Sequence, residues 1–294
     1  MKWEGREESD NVEDRRGMKA GTMLGGGGVL VVAVVLIAQF LGADPEQAKQ
    51  IGAVVNQVAN KGQPQQQGGP PAQESPEEKR KAQFSRIVFK DTETVWSDLF
   101  QKMNKQYQYP TLVLFSGQVN SACGSANAAV GPFYCPGDAK VYIDLDFYAD
   151  MQRQLNAPGD FARAYVIAHE VGHHVPRLLG YSAAVDEVRR RGNPVETNHA
   201  SVRLELQADY LAGVWAHHAQ NKFNFLEKGD VESALNAAFE IGDDRLQKKA
   251  RGTVVPDSFT HGTSKQRQKW FMEGYRTGDV NGARQLFELR YEQL

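Results

Sequence analysis

An uncharged stretch near the N-terminus constrains this 294-residue chain more than any other feature. Residues 24–41 carry no charged side chain and contain an unbroken apolar run from Val29 to Ala38. As an α-helix this stretch would extend about 27 Å, close to the roughly 30 Å hydrocarbon core of a bilayer. We therefore predict a transmembrane anchor at residues 23–42, which leaves the chain on either side of it to form water-exposed parts.

The charges that flank this stretch predict its orientation. Basic residues precede it and acidic residues follow it, namely Arg15, Arg16 and Lys19 and then Asp44 and Glu46. The asymmetry predicts a single-pass membrane protein with a cytoplasmic N-terminus and a periplasmic or extracellular C-terminal part. A cleaved signal peptide is an alternative because the apolar run is short, although the segments that end at Phe40 and Ala43 lack the required pair of small residues. A buried core helix is a third possibility, which the four glycines at 25–28 disfavour.

Composition divides the remaining chain into three parts. Residues 1–22 are polar and rich in charge, which predicts a disordered cytoplasmic tail. Residues 43–79 include a Gln-, Pro- and Gly-rich run that cannot bury a core, and they predict a linker. We therefore expect one folded domain at residues 80–294.

The pattern of this domain is that of an α+β fold. Residues 111–115 form a β-prone apolar run, and residues 140–147 alternate apolar and polar side chains as a half-buried strand does. Helical patterns dominate afterwards, at residues 160–179, 199–218, 230–247 and 264–275. Early strands followed by packed helices predict a small sheet covered by helices.

Charge and cysteine content narrow the possible partners and the compartment. The formal net charge is −2, and no Lys/Arg tract or zinc knuckle is present, which argues against nucleic-acid binding. Cys123 and Cys135 would lie outside the cytoplasm under the predicted topology, where such a pair can close a disulfide. Two unlinked thiols are the alternative. Zinc binding by this pair is disfavoured because its spacing matches no usual thiolate site.

A metal-binding motif lies in the helix predicted at residues 160–179. His169-Glu170-Val171-Gly172-His173 places two imidazoles at i and i+4 on one helical face, where both can reach a single ion. Glu170 projects about 100° around the helix from His169, so it can contact a metal-bound water without binding the metal. The spacing predicts a zinc site with a general base beside it.

The helix predicted at residues 199–218 offers a third ligand. Glu205 and Asp209 are also spaced i and i+4, and their apolar neighbours indicate that this face is partly buried. We predict that Glu205 binds the metal, while Asp209 accepts the distal N–H of a ligand histidine and fixes its tautomer. The alternative is an ordinary amphipathic helix with exposed acidic side chains.

Together these motifs resemble known metallopeptidases. The H-E-x-x-H motif followed by E-x-x-A-D is similar to the gluzincin pattern of the HtpX-like membrane peptidases. The chain resembles more closely the bacterial family called putative neutral zinc metallopeptidases, over about residues 80–290 and in its single N-terminal membrane segment. The strings that carry this resemblance are Ala168-His-Glu-Val-Gly-His-His174, Glu205-Leu-Gln-Ala-Asp209, His261-Gly-Thr-Ser264, Cys123-Gly-Ser-Ala126, Gly131-Pro-Phe-Tyr-Cys135 and Ile241-Gly-Asp-Asp244.

The resemblance implies a fold, a cofactor and a way of holding substrate. It implies a zincin-like metallopeptidase domain in which a strand edge near residues 141–145 would align substrate above the metal-binding helix. Zn²⁺ is the cofactor that it implies, and it implies no particular substrate. Pro176 departs from the pattern, because proline cannot donate to the Gly172 carbonyl and should bend or end the helix.

One further histidine is a candidate for catalysis. His261 lies in a loop directly before the helix predicted at residues 264–275, and Arg267 lies on that helix. Peptide hydrolysis places negative charge on the former carbonyl oxygen, and we favour His261 over Arg267 as the group that stabilises it. We expect no metal contact from the other histidines, which are His174, His199, His217 and His218.

The sequence thus predicts a membrane-anchored zinc metallopeptidase that acts on peptides or proteins. Zn²⁺ held by His169, His173 and Glu205 would leave one position for water, and Glu170 would move the proton from that water to the leaving amine. One alternative is a zinc-dependent hydrolase of a non-peptide amide. Another is a catalytically silent, membrane-tethered scaffold stabilised by zinc, although a purely structural site has no use for Glu170 and is usually closed by four protein ligands.

Overall fold

The structure is a computed structural model that describes residues 1–17, 74–127, 131–153, 157–181 and 183–294. The anchor predicted at residues 23–42 lies outside the described residues, as does most of the linker predicted at residues 43–79. Among the described residues, no helix combines the length and the apolar character needed to cross a bilayer.

The fold is α+β, with a small sheet and mostly helices, as the sequence predicts. Short 3₁₀ turns occur at Pro256–Ser258, Val280–Arg284 and Tyr291–Gln293. The strands and α-helices follow one another as β1 (Val12–Asp14), α1 (Pro76–Lys102), β2 (Thr111–Phe115), β3 (Gln118–Ser121), β4 (Gly124–Asn127), β5 (Phe133–Cys135), β6 (Lys140–Asp144), α2 (Phe147–Arg153), α3 (Asp160–Leu179), α4 (Ala183–Arg191), α5 (Pro194–Phe223), α6 (Asp230–Glu240), α7 (Asp243–Arg251), α8 (Ser264–Thr277) and α9 (Gln285–Glu288).

Within the described residues, the main sheet has four strands in the spatial order β1-β2-β6-β5. Strands β1, β2 and β6 are parallel, and β5 joins β6 in antiparallel orientation. Because β6 has a partner on each side, the substrate-aligning edge predicted near residues 141–145 is wrong. The edge strand on this side of the sheet is β5.

Strand β6 is also buried on both faces rather than on one. Val141 and Ile143 belong to the main core, whereas Tyr142 packs with Val113, Val119 and other residues in a second, smaller cluster. Val119 comes from β3, which forms a separate antiparallel hairpin with β4. The alternating pattern of β6 predicted one solvent-facing side, because the pattern contains no information about the β3–β4 hairpin that covers this side.

Residues 1–16 form part of the folded domain, which corrects the disordered tail predicted there. Val12 of β1 pairs with Leu112 of β2, so this segment adds a parallel strand to the sheet. The Trp3 ring is 3% exposed, packs edge-on against Phe84, and donates through Nε1 to the Asp160 carboxylate at 2.8 Å. Local polarity could not predict this docking, because its partners lie far along the chain.

The C-terminal part of the domain begins a few residues earlier than the predicted boundary at residue 80. Ser75 caps α1 by accepting from the Glu78 amide, and the Glu78 side chain accepts from the Ser75 amide. Such a reciprocal capping box stabilises a helix start. The last few residues of the predicted linker are therefore the first turn of α1.

Three helices cross at close range and bring the candidate site together. A Cβ added at Gly172 of α3 would lie 2.7 Å from the Ala208 carbonyl oxygen of α5. A Cβ added at Gly274 of α8 would lie 1.9 Å from the Tyr210 carbonyl oxygen of α5. Only glycine permits these backbone approaches, and they place α3 and α8 directly against α5.

The expected effect of Pro176 and one predicted helix boundary need correction. Helix α3 continues through Pro176 to Leu179 and ends at Gly180, which has a left-handed φ of 79°. Pro176 lies so near the C-terminal end of α3 that it removes few backbone hydrogen bonds of the helix. The Pro176 carbonyl accepts a hydrogen bond from the Tyr181 amide at 2.8 Å. The helix predicted at residues 230–247 is instead divided into α6 and α7, which begins after Gly242.

The predicted disulfide is present. Cys123 and Cys135 are bonded, with their Cα atoms 5.8 Å apart. Cys123 lies in the turn between β3 and β4, and Cys135 is the last residue of β5. The bond therefore ties the edge strand to the hairpin that covers the sheet.

Candidate metal centre

Helices α3 and α5 bring three potential metal ligands together. His169, His173 and Glu205 each offer one ligand atom, and these atoms lie within 4.8 Å of one another. His169 Nε2 is 3.2 Å from Glu205 Oε2, and His173 Nε2 is 3.5 Å from Glu205 Oε1. Ligands at about 2.0–2.2 Å from a tetrahedral zinc ion are roughly 3.3 Å apart, so this arrangement can accept the ion with little movement.

The protonation of the two histidines also suits a cation. Burial lowers the pKa of His173 to about 4, which leaves its imidazole neutral and able to bind a metal. Burial opposes protonation of His169 as well, but the Asp209 and Glu205 carboxylates raise the pKa of His169 to about 9. The carboxylates around His169 therefore favour an additional positive charge at this position. Either a proton on the imidazole or a bound metal ion can supply that charge.

Asp209 orients the first ligand histidine from behind. Its Oδ1 lies 2.9 Å from His169 Nδ1, which leaves Nε2 directed toward Glu205. Because a carboxylate only accepts, Nδ1 carries the proton in this contact. Tyr165 also donates its hydroxyl to Asp209.

Arg267 lies behind the ligands and contacts Asp209. Its side chain is 3% exposed, and Nε and one terminal nitrogen donate to the two Asp209 oxygens at 2.8 and 3.0 Å. A guanidinium committed to this pair supports the orientation of His169. The alternative of Arg267 as a donor to a reacting carbonyl has no support in this geometry.

Glu170 is buried beside the ligand group. It is 8% exposed, and its carboxylate accepts a hydrogen bond from the backbone N–H of Tyr134 in β5. Burial raises the pKa of Glu170 to about 7, against the opposing effect of His169. A carboxyl group with a pKa near neutrality can both take up and release a proton, as a general acid–base group must.

His261 lies on the loop before α8 and is held by Asp243. Asp243 Oδ2 accepts from the amides of residues 260–262 at 2.7, 2.6 and 3.1 Å, and Oδ1 lies 3.2 Å from His261 Nδ1. The imidazole is about half exposed, and it is close enough to Glu205 for each to shift the other's pKa. The sequence did not predict a role for Asp243, which appears there only within the string at residues 241–244 that resembles the family.

A second pair that the sequence did not reveal connects the edge strand to α3. The Tyr134 hydroxyl lies 2.9 Å from His174 Nδ1, and His174 Nε2 lies 2.7 Å from the Gln108 carbonyl. Since a carbonyl only accepts, Nε2 carries the proton and Nδ1 of the neutral ring accepts from the tyrosine. His174 was predicted to make no metal contact, and its contacts are instead with β5 and the segment before β2.

The other histidines from which we expected no metal contact lie away from the candidate metal centre. The His199 ring stacks on Tyr291 with centroids 3.5 Å apart. His217 and His218 contact the backbone carbonyls of Tyr275 and Gly278. None of the three belongs to the ligand group found among the described residues.

Comparison with known proteins agrees with this geometry. A profile of the family described as "Putative neutral zinc metallopeptidase" matches residues 1–285. The uncharacterized protein YpfJ of Escherichia coli strain K12 is 48% identical over 288 residues, which cover 95% of this chain and 96% of that protein. The uncharacterized protein Rv2575 of Mycobacterium tuberculosis strain H37Rv is 42% identical over 199 residues, 64% of this chain and 65% of that protein. No solved structure matches.

This family implies Zn²⁺, and the group of His169, His173 and Glu205 could hold that ion. The match spans nearly the whole chain, including the N-terminal segment that docks on the sheet. The chain belongs to the Putative neutral zinc metallopeptidase family.

Proposed function

We propose that this protein is a zincin-type metallopeptidase that hydrolyses peptide bonds. The observation that carries the proposal is the convergence of three ligand atoms on two packed helices, with the buried Glu170 beside them. Catalytic zinc sites use three protein ligands, whereas structural sites are closed by four. The described residues offer three here, together with a base that a structural site would not need.

In this proposal His169, His173 and Glu205 hold the ion and Glu170 moves the proton. When bound, Zn²⁺ supplies Lewis acidity, which lowers the pKa of water and polarises the scissile carbonyl. Glu170 accepts the proton of the attacking water through its carboxylate and then delivers it to the leaving amine. The Tyr134 amide, which donates to the Glu170 carboxylate, keeps that side chain directed toward the site.

Strand β5 gives the proposed site a way to hold an extended peptide. Among the described residues β5 pairs only with β6, so its other side is an open edge. An extended substrate can add to such an edge through backbone hydrogen bonds, largely independent of its side chains. The hydrogen bond from the Tyr134 amide of β5 to Glu170 supports a position of this edge beside the proposed base.

We assign to His261 the role of stabilising the negative charge that develops on the carbonyl oxygen. Asp243 fixes the imidazole through Nδ1, so Nε2 remains for this interaction. Burial opposes protonation, but the Asp243 contact raises the pKa of His261 above its ordinary value. A positively charged donor is thereby favoured where an oxyanion forms.

We also propose that residues 23–42 attach the protein to a membrane and that the domain lies outside the cytoplasm. The support for attachment is the uncharged stretch in the sequence. The support for the compartment is the disulfide between Cys123 and Cys135, since such bonds persist in oxidising environments.

Replacing Glu170 by glutamine tests the proposed mechanism. Glutamine is nearly isosteric but cannot accept a proton, so Glu170→Gln should retain zinc and fold while turnover falls by about 10²–10⁴-fold. We would measure cleavage of a peptide library by the purified protein, together with its zinc content. Glu232→Gln, at an exposed position on α6, is the matched control.

The same experiment separates the alternatives. Parent-like turnover by Glu170→Gln would exclude Glu170 as the base and with it the zincin mechanism. If the parent protein cleaves only non-peptide amides, a hydrolase of that class is the better assignment. Zinc-loaded parent protein that cleaves nothing across peptide and amide panels would favour the silent scaffold.

A further inference from the structure

The two ends of the chain segment that contains the apolar stretch are joined to the same folded unit. Residues 1–16 and 75–294 form one compact unit, and the segment between them begins after Arg16 and ends before Ser75. Arg16 lies within 3.5 Å of the Glu78 carbonyl in the first turn of α1, and Asp14 pairs with Arg86 of α1 at 3.3 Å. The segment therefore leaves the domain and returns to it at neighbouring positions.

The docking of residues 1–16 involves buried contacts as well as strand pairing. Ser9 is 2% exposed and donates to the Glu93 carboxylate of α1 at 2.7 Å, and Asn11 donates to the same carboxylate at 2.8 Å. Arg6 pairs with Asp91 of α1, which is 3% exposed. Polar groups buried in this way have these partners only while the segment stays on the domain.

Two of the three basic residues that predicted a cytoplasmic N-terminus, Arg15 and Arg16, are engaged in contacts within the fold, while Lys19 lies outside the described residues. Arg15 pairs with Glu13 and lies over the Tyr142 ring, 5.9 Å from its centroid. Arg16 pairs with Asp14 at 2.5 Å. The charges of Arg15 and Arg16 are thus paired with carboxylates of the fold, which weakens their contribution to an orientation by the positive-inside rule.

We infer that residues 1–16 and the domain at residues 75–294 occupy the same side of the membrane, so that the intervening segment makes no net crossing. A strand cannot pair with β2 across a bilayer, because the pairing requires backbone hydrogen bonds at a separation of about 5 Å. The pairing of β1 with β2 thus places the two described parts of the chain on one side of the membrane. This replaces the single-pass arrangement predicted from the flanking charges, and it holds whether or not the proposed activity does.

Cysteine labelling in cells tests this topology. Asp10 and Lys228 are exposed, and the native cysteines are joined in a disulfide, so Asp10→Cys and Lys228→Cys each add one free thiol. A membrane-impermeant maleimide would be applied to intact and to permeabilised cells, with each rate normalised to that of the same variant purified in mild detergent. We expect the two variants to label alike under both conditions. Labelling of one variant in intact cells and of the other only after permeabilisation would overturn the inference.

A zero-length cross-link tests whether β1 is docked in the native membrane. Glu13 and Lys140 contact each other at 2.5 Å, so a carbodiimide should join the peptides that contain them. The pair Lys222 and Asp98, at 2.8 Å within the domain, is the internal reference, and Lys140→Arg should abolish the first cross-link while sparing the second. A reference cross-link in good yield without the one between Glu13 and Lys140 would contradict the docking and the inference with it.

Discussion

At the residue scale, the Asp209 carboxylate connects the ligands on α3 with the arginine on α8. It accepts hydrogen bonds from His169, Tyr165 and Arg267 and is fully buried. Groups that orient a ligand histidine in this way typically contribute 10- to 100-fold to metal affinity. A change in metal affinity on replacing Asp209 should therefore be measurable without any substrate.

We predict that Asp209→Asn weakens zinc binding by about 10- to 100-fold. An asparagine keeps one acceptor oxygen but loses the charge that fixes the His169 tautomer and pairs with Arg267. Competition with a chromophoric chelator would give the affinity, and Asp257→Asn, at an exposed position, is the control. Unchanged affinity would show that His169 holds its orientation without the carboxylate.

The pair of Asp243 and His261 predicts a specific pH dependence of stability. Burial would raise the pKa of Asp243, but the bonds from His261 and the nearby amides hold that pKa below its usual range. Its stabilising effect is thus present above about pH 4 and is lost as the pH falls through the folded-state value. The pKa of His261 is raised, so its effect is complete below about pH 6.5 and is lost as the pH rises through the folded-state value.

Comparing the parent with Asp243→Asn by urea unfolding at several pH values would check this. The difference in unfolding free energy should be largest between about pH 4 and 6.5 and should shrink on both sides of that window. A difference that does not vary with pH would mean that the two groups are not coupled in the folded state.

Local periodicity was sufficient to predict which residues form the group that could hold a metal ion. His169 and His173 follow from the i, i+4 geometry of one helix, and Glu205 and Asp209 follow from the same rule on another. Arg267 and Asp243 contribute through contacts between helices that are distant in sequence. Helical periodicity describes one helix at a time, so it contains no information about those contacts.

At the element scale, the edge strand β5 is attached to the rest of the domain in several ways. It pairs with β6, it is linked to the β3–β4 hairpin by the disulfide, and its Tyr134 hydroxyl contacts His174 of α3. A strand of three residues has too few ladder bonds to be held firmly by them alone. The contact between Tyr134 and His174 should therefore contribute to the position of this strand.

A double-mutant cycle would measure this contribution. We predict that Tyr134→Phe and His174→Phe each destabilise the domain and that their effects are not additive, with a coupling free energy of about 0.5–3 kcal/mol. Denaturant unfolding of the two single variants and the double variant supplies the values. Tyr134→Phe combined with His199→Phe is the control, since His199 contacts Tyr291 instead and should give additive effects. Additivity in the first pair would show that the hydrogen bond does not hold β5.

The elements themselves were partly predictable. Strand β2 and helix α3 have the predicted bounds because each has a strong local pattern and a clear end at Ser116 or Gly180. The order of strands in the sheet was not predictable, since pairing depends on contacts between segments with no common periodicity. The break between α6 and α7 was missed because the apolar pattern continues across Ile241 and Gly242.

At the scale of the whole molecule, the segment of residues 1–16 packs against both α1 and the start of α3. Trp3 contacts Phe84 of α1 and the Asp160 carboxylate at the start of α3. Its ring is buried, so truncation should leave a cavity and remove the hydrogen bond from the indole to the Asp160 carboxylate. This segment should thus be a major contributor to stability, although its sequence has the composition of a tail.

We predict that Trp3→Ala lowers the unfolding free energy by about 3–5 kcal/mol. Urea unfolding of the purified protein would measure it, with Lys2→Ala as the control, because the Lys2 side chain is exposed. A loss below about 1 kcal/mol, within the range of ordinary surface substitutions, would mean that residues 1–16 do not dock stably in solution.

The pairing of β1 with β2 has a consequence for the order of folding during synthesis. Val12 can pair with β2 only after Leu112 has been synthesised. Trp3 can donate to Asp160 only after that residue has been added, 157 positions later in the chain. Such non-local contacts give a high contact order, and the loop-closure entropy must be overcome before they contribute any stability. Residues 1–16 are therefore synthesised before their partners but fixed only after them, and the edge of β2 stays open until they dock.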